Sequence, residues 1–219
     1  MESPVSLPPL SPDPAVEVAA PGIARPVLYG IFFLSGLSAL IYQLVWQRSL
    51  LTLFGSNVES VAMVVSAFMV GLGLGSLFGG WLSEKRGLRL LLTFAAVEAV
   101  IGLYGLFSLE IFKAAGGLTN GSLWQTGPLC FALLLVPTLF MGSTLPLLVT
   151  HHVKRLAEVG RSVSWLYFVN TLGAAAGCLV AARFTLPTLG MSGSVKFAAS
   201  LNALAALLMF LNGWRERRV

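Results

Sequence analysis

The sequence predicts an all-α membrane protein with six transmembrane helices and no separate soluble domain. Three observations carry this. The hydrophobic fraction is 56% and only 11% of the 219 residues are charged, about half the charge of a typical globular domain. The mean hydropathy is +0.84. The apolar residues also gather into segments of about 20 residues or more, each long enough to cross the roughly 30 Å hydrocarbon core at 1.5 Å per residue.

Residues 1–26 hold seven of the eleven prolines and few large apolar side chains. They read as a disordered tail. Glu2, Asp13 and Glu17 make it acidic, and no basic region opens it, so it does not read as a signal peptide.

The spans are expected at about 27–48, 58–82, 88–112, 128–150, 162–186 and 194–212. The first ends at Tyr42, Gln43, Trp46, Gln47 and Arg48, which fits an interfacial aromatic belt. Glu59 stands close enough in sequence to pair with Arg48 across the turn that follows. The second span carries Ala67, Gly71, Gly75 and Gly79 at four-residue spacing, a smooth stripe against which another helix can pack closely. The third carries Glu98 near its middle. Residues 113–127 read as an aqueous loop. The fourth holds Pro137 and Pro146, for which a kink is expected and not a break. Residues 187–193 read as a tight connection, and 213–219 as a basic tail.

Ten of the fourteen Lys and Arg residues fall on one side of this arrangement: Arg25, Lys85, Arg86, Arg89, Lys154, Arg155, Arg161, Arg215, Arg217 and Arg218. That side is expected to be cytoplasmic, with both termini inside the cell (inner) membrane. The net charge of +5 therefore follows the membrane sides and does not point to nucleic acid, and basic loops suit anionic lipid headgroups. Arg48, Arg183 and Lys196 read as interfacial.

An internal repeat is visible. A shift of 102 residues pairs Gly71 with Gly173, Gly75 with Gly177 and Gly79 with Ala181, and a shift of 104 pairs Glu98 with Asn202. Three helices separate the copies, so they would cross in opposite directions, as in an inverted three-plus-three repeat.

Two resemblances follow from named residues. Gly80-Trp81-Leu82-Ser83-Glu84-Lys85-Arg86-Gly87-Leu88-Arg89 resembles the cytoplasmic loop motif of major facilitator transporters. Glu84 stands where Asp is usual and Lys85 where Arg is usual. More broadly, Ala39-Leu40-Ile41-Tyr42-Gln43, Gly71-Leu72-Gly73-Leu74-Gly75, Met141-Gly142-Ser143-Thr144-Leu145-Pro146 and Asn170-Thr171-Leu172-Gly173 resemble the membrane region of fused facilitator/spermidine-synthase-like proteins. This resemblance implies a half-major-facilitator-like bundle without the soluble aminopropyltransferase-like domain, and so no enzyme activity in this chain alone. One reading is a half-sized transporter that pairs with itself or a similar half to form a transport path, with an organic cation such as a polyamine as cargo by analogy with the relatives; the other is a non-transporting membrane module that recruits a separately encoded synthase-like enzyme or another complex subunit. A membrane half of a longer fused protein is a third implication.

Glu98 is the sharpest single residue. A carboxylate near mid-bilayer costs about 2.5–3.5 kcal/mol on insertion scales, so it must face the bundle interior, pair, or be protonated. It reads either as a proton-coupling or cation-binding acid, or as a hydrogen-bonding group toward Asn170 or Asn202, which themselves read as path-lining or interhelical amides. Gly80, Glu84, Lys85, Arg86, Gly87 and Arg89 read as a gating loop whose charges could form a network, or as a solvated basic loop. Gly71, Gly75, Gly79, Gly173 and Gly177 read as packing residues. Cys130 and Cys178 lie at lipid depth and suggest packing; His151-His152 lack a third ligand for zinc. Gly71-x-Gly73-x-Gly75 lacks the strand–turn–helix setting of a nucleotide loop. Neither a metal nor a cofactor is expected.

Overall fold

The computed structural model describes residues 23–54, 58–117, 123–156 and 159–215. Every regular element among them is helical: α1 (Arg25–Phe54), α2 (Val58–Ser83), α3 (Leu90–Gly116), α4 (Leu123–Leu156), α5 (Val159–Val180) and α6 (Leu186–Arg215), with a π-helical turn at Ala181–Thr185. Five stretches have the length and composition of a membrane span: Arg25–Thr52, Val61–Ser83, Leu90–Gly116, Gly127–His152 and Gly160–Arg215. Large apolar side chains such as Met69, Leu77, Leu103, Leu179 and Leu207 are exposed around the outside. These features are compatible with a multi-pass membrane protein, because such a surface is stable only against lipid or a partner.

The last stretch is 56 residues long, about 84 Å if straight. It is not straight. Gly190 has φ 65° and ψ −170° inside it, a backbone region open essentially to glycine alone. Contacts show what happens there. Ser35 of α1 meets Glu98 of α3 and Trp46 meets Ser108, so α1 and α3 run parallel. Phe33 and Leu37 of α1 face Gly173 and Gly177 of α5, so these also run parallel. Asn202 of α6 meets Glu98, whereas Gly213 meets Leu91, so α6 runs antiparallel to α3. The chain therefore reverses between α5 and α6, around the π-helical turn and Gly190.

Several boundaries differ from the sequence reading. Helix α1 does not stop at Arg48 but continues to Phe54. As a result Tyr42 and Trp46 are not interfacial: both are fully buried. Trp46 stacks on Tyr42 with ring centroids 5.0 Å apart and meets Tyr104 and Phe112 edge to face. The expected aqueous loop 113–127 is much shorter, since α3 runs to Gly116 and α4 begins at Leu123. Residues 187–193 are helical apart from Gly190: the helical backbone runs unbroken from α5 through the π-helical turn into Leu186, and the break comes at Gly190, not at Pro187. The proline-rich tail up to residue 22, the side chain of Glu59 and residues 216–219 lie outside the described residues.

Helix α4 continues through Pro128, Pro137 and Pro146. A proline removes its own N–H and frees the carbonyl four residues earlier. For Pro137 that carbonyl belongs to Leu133, and the Tyr104 hydroxyl donates to it at 2.6 Å. A neighbouring helix thus satisfies the group the proline left without a donor.

The glycine stripes are where the helices approach most closely. A Cβ on Gly71 would collide with Thr138, one on Gly75 with the Leu139 backbone, and one on Gly79 with Ser143, all on α4. A Cβ on Gly173 or Gly177 would strike the backbone of Phe33 or Leu37 on α1. The two crossings correspond: Gly71 beside Leu135 and Gly75 beside Leu139 map, by the same 102-residue shift, onto Gly173 beside Phe33 and Gly177 beside Leu37.

Candidate functional site

Glu98 centres a buried polar node in the bundle interior. Helix α3 presents Glu98 inward, between Ala95 and Ile101, and the side chain is fully buried. Helix α1 supplies Ser35, whose Oγ donates to Glu98 Oε1 at 2.5 Å. Helix α6 supplies Asn202, whose Nδ2 donates to Glu98 Oε2 at 2.6 Å. Both carboxyl oxygens thus meet neutral donors, as a buried carboxylate requires. The node ties α1, α3 and α6 together. Ser38, one turn further along α1, donates to the Ser35 carbonyl at 2.9 Å.

Asn170 is not part of this node. Its Nδ2 donates to the Phe32 carbonyl at 3.2 Å, an α5–α1 contact, and Gly36 leaves room for it. Asn170 and Asn202 nevertheless share the wall of one cavity of about 100 Å³, together with Ser35 and Thr144. Glu98 stands behind that wall, screened by Ser35 and Asn202, and does not line it.

The loop after α2 is built differently from a charge network. Glu84, Lys85, Arg86 and Arg89 are all exposed, and no ion pair joins Glu84 to the three cations. Lys85 instead lies over the Trp81 ring, 3.6 Å from its centroid, a cation–π contact that lets its stem follow the apolar surface. Gly87 turns the chain with φ 78°, a conformation glycine adopts without penalty. Gly80 has open space beside its Cα.

At the same end, His151 and His152 are largely buried, with the His152 ring 6.1 Å from Tyr29. Among the described residues no group of His, Cys, Asp and Glu could hold a metal ion. Cys130 is buried, Cys178 is half-buried and both are free thiols.

Ser35 is the site residue that sequence reasoning missed. In the run Phe33-Leu34-Ser35-Gly36-Leu37-Ser38 it looks like any small residue of a membrane helix. The available signal is the spacing of Ser35, Ser38 and Tyr42, which places three hydroxyls on one helical face.

Similarity to known proteins covers nearly the whole chain. It is 29% identical over 207 residues to Polyamine aminopropyltransferase 1 of Streptomyces coelicolor, covering 94% of this chain and 37% of that protein. It is 31% identical over 180 residues to Polyamine aminopropyltransferase of Corynebacterium efficiens, covering 78% and 32%. For Polyamine aminopropyltransferase of Mycobacterium tuberculosis the figures are 28% over 186 residues, 83% and 35%. The chain is a distant homologue of polyamine aminopropyltransferases. It spans about a third of the length of these curated relatives. No family model and no solved structure matches it.

Proposed function

We propose that the chain is a six-span, half-facilitator-like membrane unit that dimerises and moves a small organic cation across the cell membrane. The observation that supports it best is the single 102-residue shift relating the α2–α4 crossing to the α5–α1 crossing. Repeats of opposite topology are how many secondary transporters are built, with the binding site near the bilayer midplane. On this reading Gly160–Arg215 crosses twice, the basic loops and both termini are cytoplasmic, and Gly80–Arg89 is a gating loop. A six-helix bundle is half of such a transporter, and a two-fold pairing of equivalent faces would supply the other half. Glu98 acts through Asn202 and Ser35 and does not touch the cargo.

The test is uptake into proteoliposomes with an imposed proton gradient. Gradient-driven uptake of a small polyamine, reduced in Glu98→Gln, is the expected result. No uptake across a panel of organic cations would sink the transport reading. Uptake unchanged in Glu98→Gln would remove Glu98 from coupling.

A second reading has its own support. The chain aligns almost end to end with about a third of proteins named for aminopropyl transfer. It would then be a non-transporting module holding a synthase-like enzyme at the membrane. Purification in mild detergent separates the two: a stoichiometric soluble partner favours the module, and a bare homodimer of the chain favours the transporter.

A further inference from the structure

The cavity beside the polar node follows α1 from Ser35 to Gln43, about 12 Å of helix. A volume of about 100 Å³ drawn out over that length makes a narrow slot. Six polar residues line it, and four of them are committed. Ser35 donates to Glu98, Ser38 to the Ser35 carbonyl, Thr144 to the Met141 carbonyl at 2.7 Å, and Asn202 to Glu98. The remaining Asn202 oxygen, Oδ1, is sealed off from the cavity.

The other two are open. Gln43 makes no side-chain hydrogen bond among the described residues, and Asn170 uses only Nδ2, toward the Phe32 carbonyl, which leaves its Oδ1 free. Both side chains are half-buried. Neither is among the sealed, unpartnered polar groups of the interior, so both amides reach the cavity they line. They stand at opposite ends of it. Asn170 packs on Gly36, whereas Gln43 lies two turns further along α1, about 10 Å away along the helix axis. Leu40, Leu72 and Ala174 make the wall between them apolar. Among the described residues no Asp, Glu, Lys, Arg or His lines the cavity. An ion entering it would lose hydration and meet no counter-ion, so the lining selects an uncharged ligand.

We infer that this cavity binds a short, unbranched, uncharged molecule with a hydroxyl or amide group at each end. One end donates to Asn170 Oδ1, the other meets the Gln43 amide, which both donates and accepts, and the methylenes between lie against Leu40, Leu72 and Ala174. The inference does not rest on the transport reading, whose cargo is charged.

The experiment uses the full chain in nanodiscs, labelled with nitrogen-15 on its three glutamines, Gln43, Gln47 and Gln125. Gln43→Leu assigns the Gln43 side-chain signal by its loss, and Gln47→Met with Gln125→Met assigns it by elimination if that variant does not fold. Butane-1,4-diol is expected to shift the Gln43 signal saturably and to leave those of Gln47 and Gln125 unmoved. The alcohol 1-butanol, with one polar end, should need about tenfold more, the equivalent of one lost hydrogen bond. Butane-1,4-diammonium, of the same length but charged, should give no shift. Ala174→Leu narrows the slot and is expected to abolish the diol response, and Ala39→Leu serves if it does not fold. No saturable shift with the diol would mean that water alone fills the cavity, and would overturn the inference. So would an equal response to 1-butanol, an equal response to the diammonium ion, or a diol response that survives the filling variant.

Discussion

Asn202 Nδ2 donates a 2.6 Å hydrogen bond to Glu98 Oε2 across 104 residues of chain. The contact joins α3 to α6 inside the bundle. With Ser35 on the other oxygen, it converts a costly buried carboxylate into a three-helix tie.

The first prediction concerns that tie. Glu98→Ala leaves the Ser35 hydroxyl and the Asn202 amide without their shared acceptor, at about 1–3 kcal/mol for each group left unsatisfied. It also opens a cavity. Glu98→Gln keeps the volume and one acceptor, and Ser35 can rotate its hydroxyl to suit. Thermal unfolding in detergent is therefore expected to rank wild type above Glu98→Gln, and Glu98→Gln well above Glu98→Ala. Equal midpoints for the two variants would mean that the hydrogen bonds contribute nothing.

The second prediction uses glycines that look alike in sequence. Gly73 has open space beside it, whereas Gly75 and Gly177 lie against the backbones of Leu139 and Leu37. Gly73→Ala is expected to be neutral or stabilising by up to about 1 kcal/mol, through the helix propensity of alanine. Gly75→Ala and Gly177→Ala are each expected to lower the unfolding midpoint by several degrees, and by similar amounts, because they force apart equivalent crossings. A Gly73→Ala variant as damaged as the other two would overturn the assignment of the stripe.

Much of this was legible in the sequence, and the reason is the bilayer. Long apolar stretches and small residues four apart show directly in the sequence, so Gly71, Gly75 and Gly173 were legible as the close approaches they turn out to be. Glu98 was visible because a carboxylate at that depth demands a partner, and Asn202 was one of two amides able to serve. Ser35 was not legible, because a serine can satisfy itself on its own helix and its sequence shows no sign that it does otherwise. The interfacial reading of Tyr42 and Trp46 failed for a related reason. Aromatics near an expected helix end look like belt residues, and only the continuation of α1 to Phe54 moves them inside. The charged loop showed its side chains but not their partners: Lys85 chose Trp81 over Glu84.

The third prediction follows from Pro137. Tyr104→Phe removes the one hydroxyl that meets the Leu133 carbonyl while keeping the ring that packs against Trp46. A destabilisation of about 1–2 kcal/mol is expected from the carbonyl left unmet. In a Pro137→Ala background the helix supplies its own N–H to Leu133, so Tyr104→Phe should then cost much less. A double-mutant cycle on unfolding midpoints measures this, and additive effects would show that Tyr104 and Pro137 are not coupled.

The fourth prediction concerns the reversal between α5 and α6. With φ 65° and ψ −170°, Gly190 lies outside the left-handed region that asparagine tolerates. Gly190→Ala and Gly190→Asn should therefore be comparably harmful, each by about 1–3 kcal/mol. No neighbouring atom stands within 4 Å of a Cβ at Gly190, so backbone conformation alone is at issue. Loss of this turn should loosen α6 from α3 first, because the Glu98–Asn202 bond depends on where α6 re-enters the bundle. Hydrogen exchange in detergent should show faster exchange in α6 than in α2 and α4, whose crossing is independent of Gly190. If Gly190→Asn were as stable as wild type while Gly190→Ala was not, the residue would adopt the left-handed conformation and the chain would turn there in a different way.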